Sequence, residues 1–175
     1  MKTRILVSAC LLGFPTRYDG KLEPLGSDVL SRWVSEGRVV TACPEVDGGL
    51  ATPRPAAEIR SAQTAAVLDG EGSVVTEVGS DVTDAFVAGA KRALALCREH
   101  GLKLALMKEY SPSCGLTQVH NGEFAQRLRP GAGVAVELLH RNGIRVFSEL
   151  EIALADEALR TADSDDQWRA GPEGK

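Results

Sequence analysis

Three cysteines occupy the same kind of position in this sequence, each after a short apolar run. Cys10 follows the run at 4–8, Cys43 follows 38–41, and Cys114 comes shortly after 104–107. Runs this short, bounded by residues that favour turns, are typical of buried strands in a parallel sheet. Because parallel strands end at one edge, where open α/β sheets bind ligands, we expect the three thiols to meet there.

Thiols gathered in this way indicate a metal or catalytic site. The segment before Cys10 has too few apolar residues for a secretory signal, so we expect a cytoplasmic protein. In that reducing compartment, cysteines indicate metal binding or catalysis more often than disulfides. Three thiolates from separate loops suit a centre with one open coordination position. Zinc and an iron-sulfur cluster are both compatible with soft sulfur ligands, so spacing alone does not choose between them. Cys97 shares the apolar stripe of a predicted helix and is expected to be core.

Polar residues beside these cysteines are candidates for the chemistry. Pro44 favours an extended backbone at Cys43, so Glu45 is expected on the same side as that thiol, where a carboxylate can move protons. The same reasoning pairs Ser111 with Ser113. Two cations are candidates for contact with a phosphate or carbonyl oxygen, namely Arg54 and Lys108. The three histidines share no helical face or ligand spacing, and we expect them to be bystanders.

Strands that alternate with helices predict an α/β fold. We expect a single domain over residues 1–162, with a three-layer α/β/α arrangement, a mostly parallel Rossmann-like sheet, and a small β-hairpin excursion. The hairpin is predicted from runs at 65–68 and 73–78 around a Gly-rich turn. Ser148 and Glu151 form the pattern of a capping box for a last helix. Residues 163–175 read as a polar, disordered tail.

Composition and charge exclude several classes of protein. The chain has 175 residues, of which 43% are hydrophobic and 25% are charged, which is typical of a globular protein with its own core. A net charge of -4 provides no basic surface for DNA, and 5% aromatic residues provide no stacking platform for single strands. No apolar run is long enough for a membrane span.

Several motifs resemble one known family. The sequence is similar to the family once catalogued as domain of unknown function 523, which is now typified by the thiouracil desulfurases. The matching segments are spread over nearly everything up to Glu149, and they are Ser8-Ala-Cys-Leu-Leu-Gly, Arg17-Tyr-Asp-Gly, Cys43-Pro-Glu, Thr52-Pro-Arg-Pro, Asp81-Val-Thr, Lys108-Glu-Tyr-Ser-Pro-Ser-Cys-Gly and Val146-Phe-Ser-Glu.

This resemblance implies a cofactor and a reaction. It implies a [4Fe-4S] cluster held by Cys10, Cys43 and Cys114, with one open iron that takes the sulfur of a thiocarbonyl while water attacks the carbon, without net redox change. It implies that Glu45 is the proton-transfer carboxylate and Ser111 its partner hydroxyl. The expected substrate-binding residues are Ser8, Arg54, Lys108 and Ser113. The expected substrate is a thiolated pyrimidine such as 4-thiouracil, as base, nucleoside, nucleotide or thiolated transfer RNA.

The sequence also departs from the family and leaves two rival functions to test. Thr16 stands where many members carry a second cysteine, and the segment from Ala62 to Gly72 differs in length. A cysteine-dependent phosphatase is one rival, but Arg17 lies one residue too far from Cys10 for its phosphate loop. A non-catalytic metal-binding or redox-sensing module is the other rival, and it predicts no turnover of thiolated bases.

Overall fold

Within residues 2–170, the fold has eight strands and six helices. A computed structural model describes residues 2–170. The strands are β1 (Ile5–Ser8), β2 (Val39–Ala42), β3 (Ala57–Ile59), β4 (Val74–Thr76), β5 (Leu104–Met107), β6 (Gln118–His120), β7 (Leu128–Pro130) and β8 (Arg145–Ser148). The helices are α1 (Asp28–Ser35), α2 (Pro44–Asp47), α3 (Ala65–Leu68), α4 (Thr83–Glu99), α5 (Val134–Arg141) and α6 (Ile152–Ala170), with 3₁₀ turns at Ala9–Leu12 and Glu149–Glu151.

The central sheet has four strands, all parallel, in the order β2, β1, β5, β8. Successive side chains of a strand point to opposite faces, and the packing follows that alternation. Ile5 and Val7 pack in one core with Leu30 of α1 and Leu159 of α6. On the other face, Leu6 packs in a second core with residues of α4 and α5. Helices therefore cover both faces, and the predicted three-layer α/β/α fold with a parallel sheet is confirmed.

Two small antiparallel sheets stand beside the central sheet. One pairs β3 with β4, and the other pairs β6 with β7. Ile59 of β3, Val74 of β4 and Val119 of β6 are fully buried in a third core, which also contains Phe86 of α4. These small sheets therefore belong to the packed body of the protein, and they bring β3 and β6 towards the carboxyl edge of the central sheet.

The predicted hairpin differs from the structure in its first strand. Residues 65–68 form the helix α3, and β4 pairs with β3 instead. Two alanines in this run favour a helix. Val67 is its one fully buried residue, so the run lacks the alternating buried side chains of a strand. Gly70, at φ +80°, follows the end of the helix and supplies the turn that was read as a hairpin loop.

The carboxyl-terminal segment also differs from the prediction. The capping box of Ser148 and Glu151 is present, and α6 then continues to Ala170, past the point at which a disordered tail was expected to begin. Asp163 explains the difference, because its carboxylate accepts hydrogen bonds from Arg38 Nη2 at 2.8 Å and from the Thr3 amide at 2.6 Å. The structure therefore describes a helix over 163–170, while residues 171–175 of the predicted tail lie outside the described part of the chain.

No helix within residues 2–170 has the length and apolar character that crossing a lipid bilayer requires.

Candidate active site

One cavity of about 450 Å³ lies at the carboxyl edge of the central sheet, and all three predicted thiols line it. Cys10 lies in the 3₁₀ turn that directly follows β1, and Cys43 is the residue between β2 and α2. Cys114 lies in the loop that follows β5. Since β1 is hydrogen-bonded to both β2 and β5, the three loops are neighbours in space. Cys97 is buried in the core between α4 and the sheet, as predicted.

Cys114 is buried, Cys10 and Cys43 are half-buried, and the three thiols are close enough to influence one another. Burial, and after it the neighbouring Cys43 thiol, raises the pKa of Cys10 to about 11. Burial also raises the pKa of Cys114 well above its usual value, with Cys10 and Cys43 as the next causes. The pKa of Cys43 is likewise raised by burial. Three thiolates in this cavity would repel one another, so the thiolate form requires a compensating positive charge.

The loop that carries Cys114 is held from two directions. Ser111 Oγ accepts hydrogen bonds from the amides of Ser113 and Cys114, both at 3.1 Å. At the other side, the first amides of α5, which have no partners within the helix, donate to carbonyls of residues 112, 113 and 115. Gly133 permits this approach, because a Cβ there would lie 2.3 Å from the Ser113 carbonyl carbon. The Cys114 loop is therefore rigidly placed by backbone contacts.

Glu45 lies in α2 and is held by two side chains. Ser113 Oγ donates to Oε1 at 3.2 Å, and Arg54 Nε donates to Oε2 at 2.8 Å. The carboxylate thus sits between the loops that carry Cys43 and Cys114, and all of these residues line the cavity. The hydroxyl that contacts Glu45 is that of Ser113, whereas the sequence analysis expected Ser111. The Ser111 hydroxyl accepts two amides and keeps its own proton free for the cavity.

Arg54 is held by contacts within the protein. It donates hydrogen bonds to Glu45 Oε2, the carbonyls of Ala51 and Thr16, and Thr52 Oγ1, at 2.8–3.1 Å. Its Nη2 also lies 2.7 Å from Glu45 Oε2, and the side chain is 8% exposed. Arg54 therefore orients Glu45 and fixes the loop around Thr16, and these contacts compete with any bond to a phosphate or carbonyl oxygen.

Ser8 and Lys108 line the cavity where β1 and β5 end. Ser8 is buried, its Oγ accepts the Lys108 amide at 3.1 Å, and its hydroxyl donates to Met107 Sδ at 3.6 Å. The Lys108 ammonium pairs with Glu149 Oε1 at 2.5 Å and is 29% exposed. Ser8 therefore joins the two central strands, and Lys108 keeps part of its side chain open to the cavity.

Glu109, directly after Lys108, is a buried carboxylate that the sequence analysis missed. Its Oε1 accepts the amides of Leu116, Thr117 and Gln118 at 3.0–3.2 Å. It also lines the cavity and is 2% exposed. The available signal was an acidic residue directly after a buried strand, where a plain surface charge is uncommon.

The small sheets supply another wall of the cavity, which was also missed. Glu58 of β3 is buried, and its Oε2 accepts the amides of Gly122 at 2.8 Å and Phe124 at 3.1 Å. His120 of β6 lines the cavity, with Nδ1 at 3.9 Å from Glu58 Oε1. The sequence analysis predicted no strand here and expected His120 to be a bystander, whereas the structure places it on β6 in the wall of the cavity.

Backbone strain is concentrated around this cavity. The non-glycine residues recorded with positive φ within 2–170 are Tyr110 at 64°, Phe124 at 54° and Gln126 at 56°. All three line the cavity. Such conformations cost roughly 1–3 kcal/mol each and are found mainly at active sites and ligand clamps. Their shared location marks this cavity as the functional site of the fold.

Comparisons with known proteins agree with this site. The family model described as 2-thiouracil desulfurase matches residues 5–151. The chain belongs to this family. YbbK of Bacillus subtilis (strain 168), an uncharacterized protein, is 41% identical over 148 residues, which cover 85% of this chain and 97% of YbbK. A solved structure described as the [4Fe-4S]-dependent thiouracil desulfidase TudS is 46% identical, with a TM-score of 0.84 over 91% of this chain and 99% of that one.

The predicted family resemblance is therefore confirmed, and the chain is an enzyme of the thiouracil desulfurase kind. The matched residues 5–151 include every cysteine that lines the cavity, together with Glu45, Ser111 and Ser113. They also include the small sheets, so the wall formed by Glu58 and His120 belongs to the matched region.

The donor set of this desulfurase fits an iron-sulfur cluster. Three thiols from separate loops share one cavity, and cysteine thiolates are the ligands that hold such clusters. Among residues 2–170, no group of three or more Cys, His, Asp or Glu forms a site for a single metal ion.

Proposed function

We propose that this enzyme removes sulfur hydrolytically from a thiolated pyrimidine, with a [4Fe-4S] cluster held by Cys10, Cys43 and Cys114. The observation that carries the proposal is the meeting of three cysteine thiols with Glu45 in one cavity. When bound, the cluster supplies Lewis-acid chemistry at an iron that has no protein ligand. The net reaction consumes one water and yields the pyrimidine carbonyl and sulfide.

Glu45 is proposed as the group that positions the attacking water and accepts its proton. Ser113 donates to Oε1 and Arg54 to Oε2, and together these contacts fix the plane of the carboxylate and the direction of the lone pair that is left on Oε1. A carboxylate fixed in this way is suited to general base catalysis, which typically contributes about 10²–10⁴-fold. The Ser111 hydroxyl, whose proton is free, is proposed to donate a hydrogen bond to the reacting group.

The cavity supports a small substrate. Its volume of about 450 Å³ lies within the range of about 300–1,000 Å³ that is common for small-molecule sites. Lys108 and Ser8 remain proposed substrate contacts on the wall formed by β1 and β5. The proposed substrate class is a thiolated uracil as base, nucleoside or nucleotide, and a thiolated transfer RNA would have to present its base through the mouth of the cavity.

Turnover in labelled water tests this proposal. Protein purified without oxygen, with its iron and sulfide content measured, is incubated with 4-thiouracil, 4-thiouridine and the 5′-monophosphate in H₂¹⁸O. Sulfide should be released, and the ¹⁸O label should appear in the pyrimidine carbonyl. Sulfide without label would contradict hydrolysis. A full cluster without sulfide from any of these substrates would instead favour the non-catalytic module.

A further inference from the structure

His120 presents an unsatisfied hydrogen-bonding ring to the same cavity. Within residues 2–170, the buried side-chain polar atoms without partners are few, and His120 Nδ1 is among them. Nδ1 is buried while the side chain is 36% exposed, so the exposed part of the ring is its opposite edge, which carries Nε2. Buried polar atoms without partners are uncommon in native proteins, so the environment of Nδ1 needs an explanation, and the neighbouring Glu58 provides one.

Glu58 determines how this ring can bond. Its Oε2 is occupied by two backbone amides of the loop at 122–124, which leaves Oε1 directed at His120 Nδ1 over 3.9 Å. A carboxylate beside Nδ1 favours the proton on that nitrogen, and the other nitrogen then becomes an acceptor. Such pairs are often long without substrate and shorten when the ring is engaged. Nε2 is thus an acceptor that faces the cavity.

The position of His120 indicates which part of a substrate it meets. The cysteines come from loops of the central sheet, whereas His120 and Glu58 come from the small sheets. A thiopyrimidine whose sulfur points to the cysteines directs the rest of the molecule to the other walls. The strained residues Phe124 and Gln126 belong to the loop that Glu58 holds and line the same cavity.

We infer that His120 is a specificity-determining residue that accepts a hydrogen bond from the end of the substrate remote from the thiocarbonyl. This inference rests on the proposed function for the identity of the substrate. The donor is an N–H or O–H group. In 4-thiouracil, the ring position opposite the sulfur-bearing carbon is N1–H, and in 4-thiouridine the ribose hydroxyls extend from that same position.

The test compares His120→Phe, which keeps a ring but removes the acceptor, with His120→Gln, which retains an acceptor. His140→Phe, at the exposed end of α5 and outside the cavity, is the matched control. Three substrates are used: 4-thiouracil, 4-thiouridine, and 1-methyl-4-thiouracil, which has no donor at that end. Loss of one neutral hydrogen bond should raise KM by about three- to tenfold, with kcat little changed.

The outcomes separate the inference from a structural role. The inference is supported if His120→Phe raises KM for 4-thiouracil or 4-thiouridine, leaves KM for the 1-methyl compound unchanged, and His120→Gln restores the original KM. The substrate whose KM rises then identifies the donor as the ring N–H or a ribose O–H. An equal rise for all three substrates, or no change, overturns the inference. The affinity of uracil and uridine for each variant, measured by calorimetry, is independent of turnover. Absence of sulfide with intact, His120-dependent binding would refute the proposed function while preserving this inference.

Discussion

Gly89 is remote from the chemistry in sequence, yet its substitution should disable the site. It lies in α4 where α2 crosses, and a Cβ at this position would lie 1.8 Å from the Pro44 carbonyl oxygen. Ordinary contact begins at 3.4 Å, so Gly89→Ala requires a shift of about 1.6 Å between the two helices. The clashing atom belongs to the backbone, so no side-chain rotation relieves the clash. The helix that must move carries Glu45, and Cys43 precedes it directly.

Two opposing effects set the expected magnitude for Gly89→Ala. Replacing glycine by alanine inside a helix normally stabilises by about 1 kcal/mol. Overpacking costs about 1–3 kcal/mol, so the net change should be destabilisation by up to roughly 2 kcal/mol, or a few degrees in Tm. Misplacement of a catalytic group by about 1 Å can cost 10²-fold in rate, which predicts a fall in kcat of about that size.

The assay for Gly89→Ala is sulfide release by protein with measured iron content, together with thermal unfolding. Gly26→Ala is the matched control, because a Cβ at Gly26 meets nothing within 4 Å and the same chemical change should then be harmless. A Gly89→Ala enzyme with full activity and a raised Tm would refute the argument that this close crossing positions Glu45.

The remaining predictions separate ligands, catalysts and supporting residues. Glu45→Gln should retain the cluster but lose about 10²–10⁴-fold in kcat, and full activity would remove Glu45 from the mechanism. Ser113→Ala should lower kcat and leave Tm unchanged. Ser111→Ala should lower both, because it leaves two buried amides unpaired at about 1–3 kcal/mol each. Equal Tm values for the two variants would contradict this difference. Cys114→Ser should lose iron, whereas Cys97→Ala should keep it, and iron analysis of both purified variants tests this. The reverse result would mean that Cys97, and not Cys114, is the ligand.

The central sheet and its edge could be predicted because their causes are local in the sequence. Short apolar runs gave the strands that precede Cys10 and Cys43, and parallel pairing then placed the thiols at one edge. The capping box at Ser148 is equally local, since its two partners are three residues apart. The helix at Asp163 has no such local signal, because the carboxylate is held by Arg38, which lies 125 residues away in sequence.

The network around the site could not be predicted for the same reason. Ser113 and Glu45 are 68 residues apart, and Glu58 meets Gly122 across 64 residues. Neither contact leaves a periodic trace in the sequence. Arg54 illustrates the consequence, since a cation between two prolines looks free until the fold supplies acceptors for its donors.

Two of the three cysteine loops are placed mainly by backbone contacts. The Cys114 loop is held by the amides of α5 and the Ser111 hydroxyl. Cys43 is positioned by the close approach of α2 to α4, and its thiol also donates to the Thr16 carbonyl at 3.8 Å. Beneath them lie two apolar cores, one on each face of the sheet. Small metal-dependent domains lack such a core and unfold without their metal. In this enzyme the two cores instead pack the elements that carry the three thiols and Glu45, so the packing of the sheet contributes to placing these side chains.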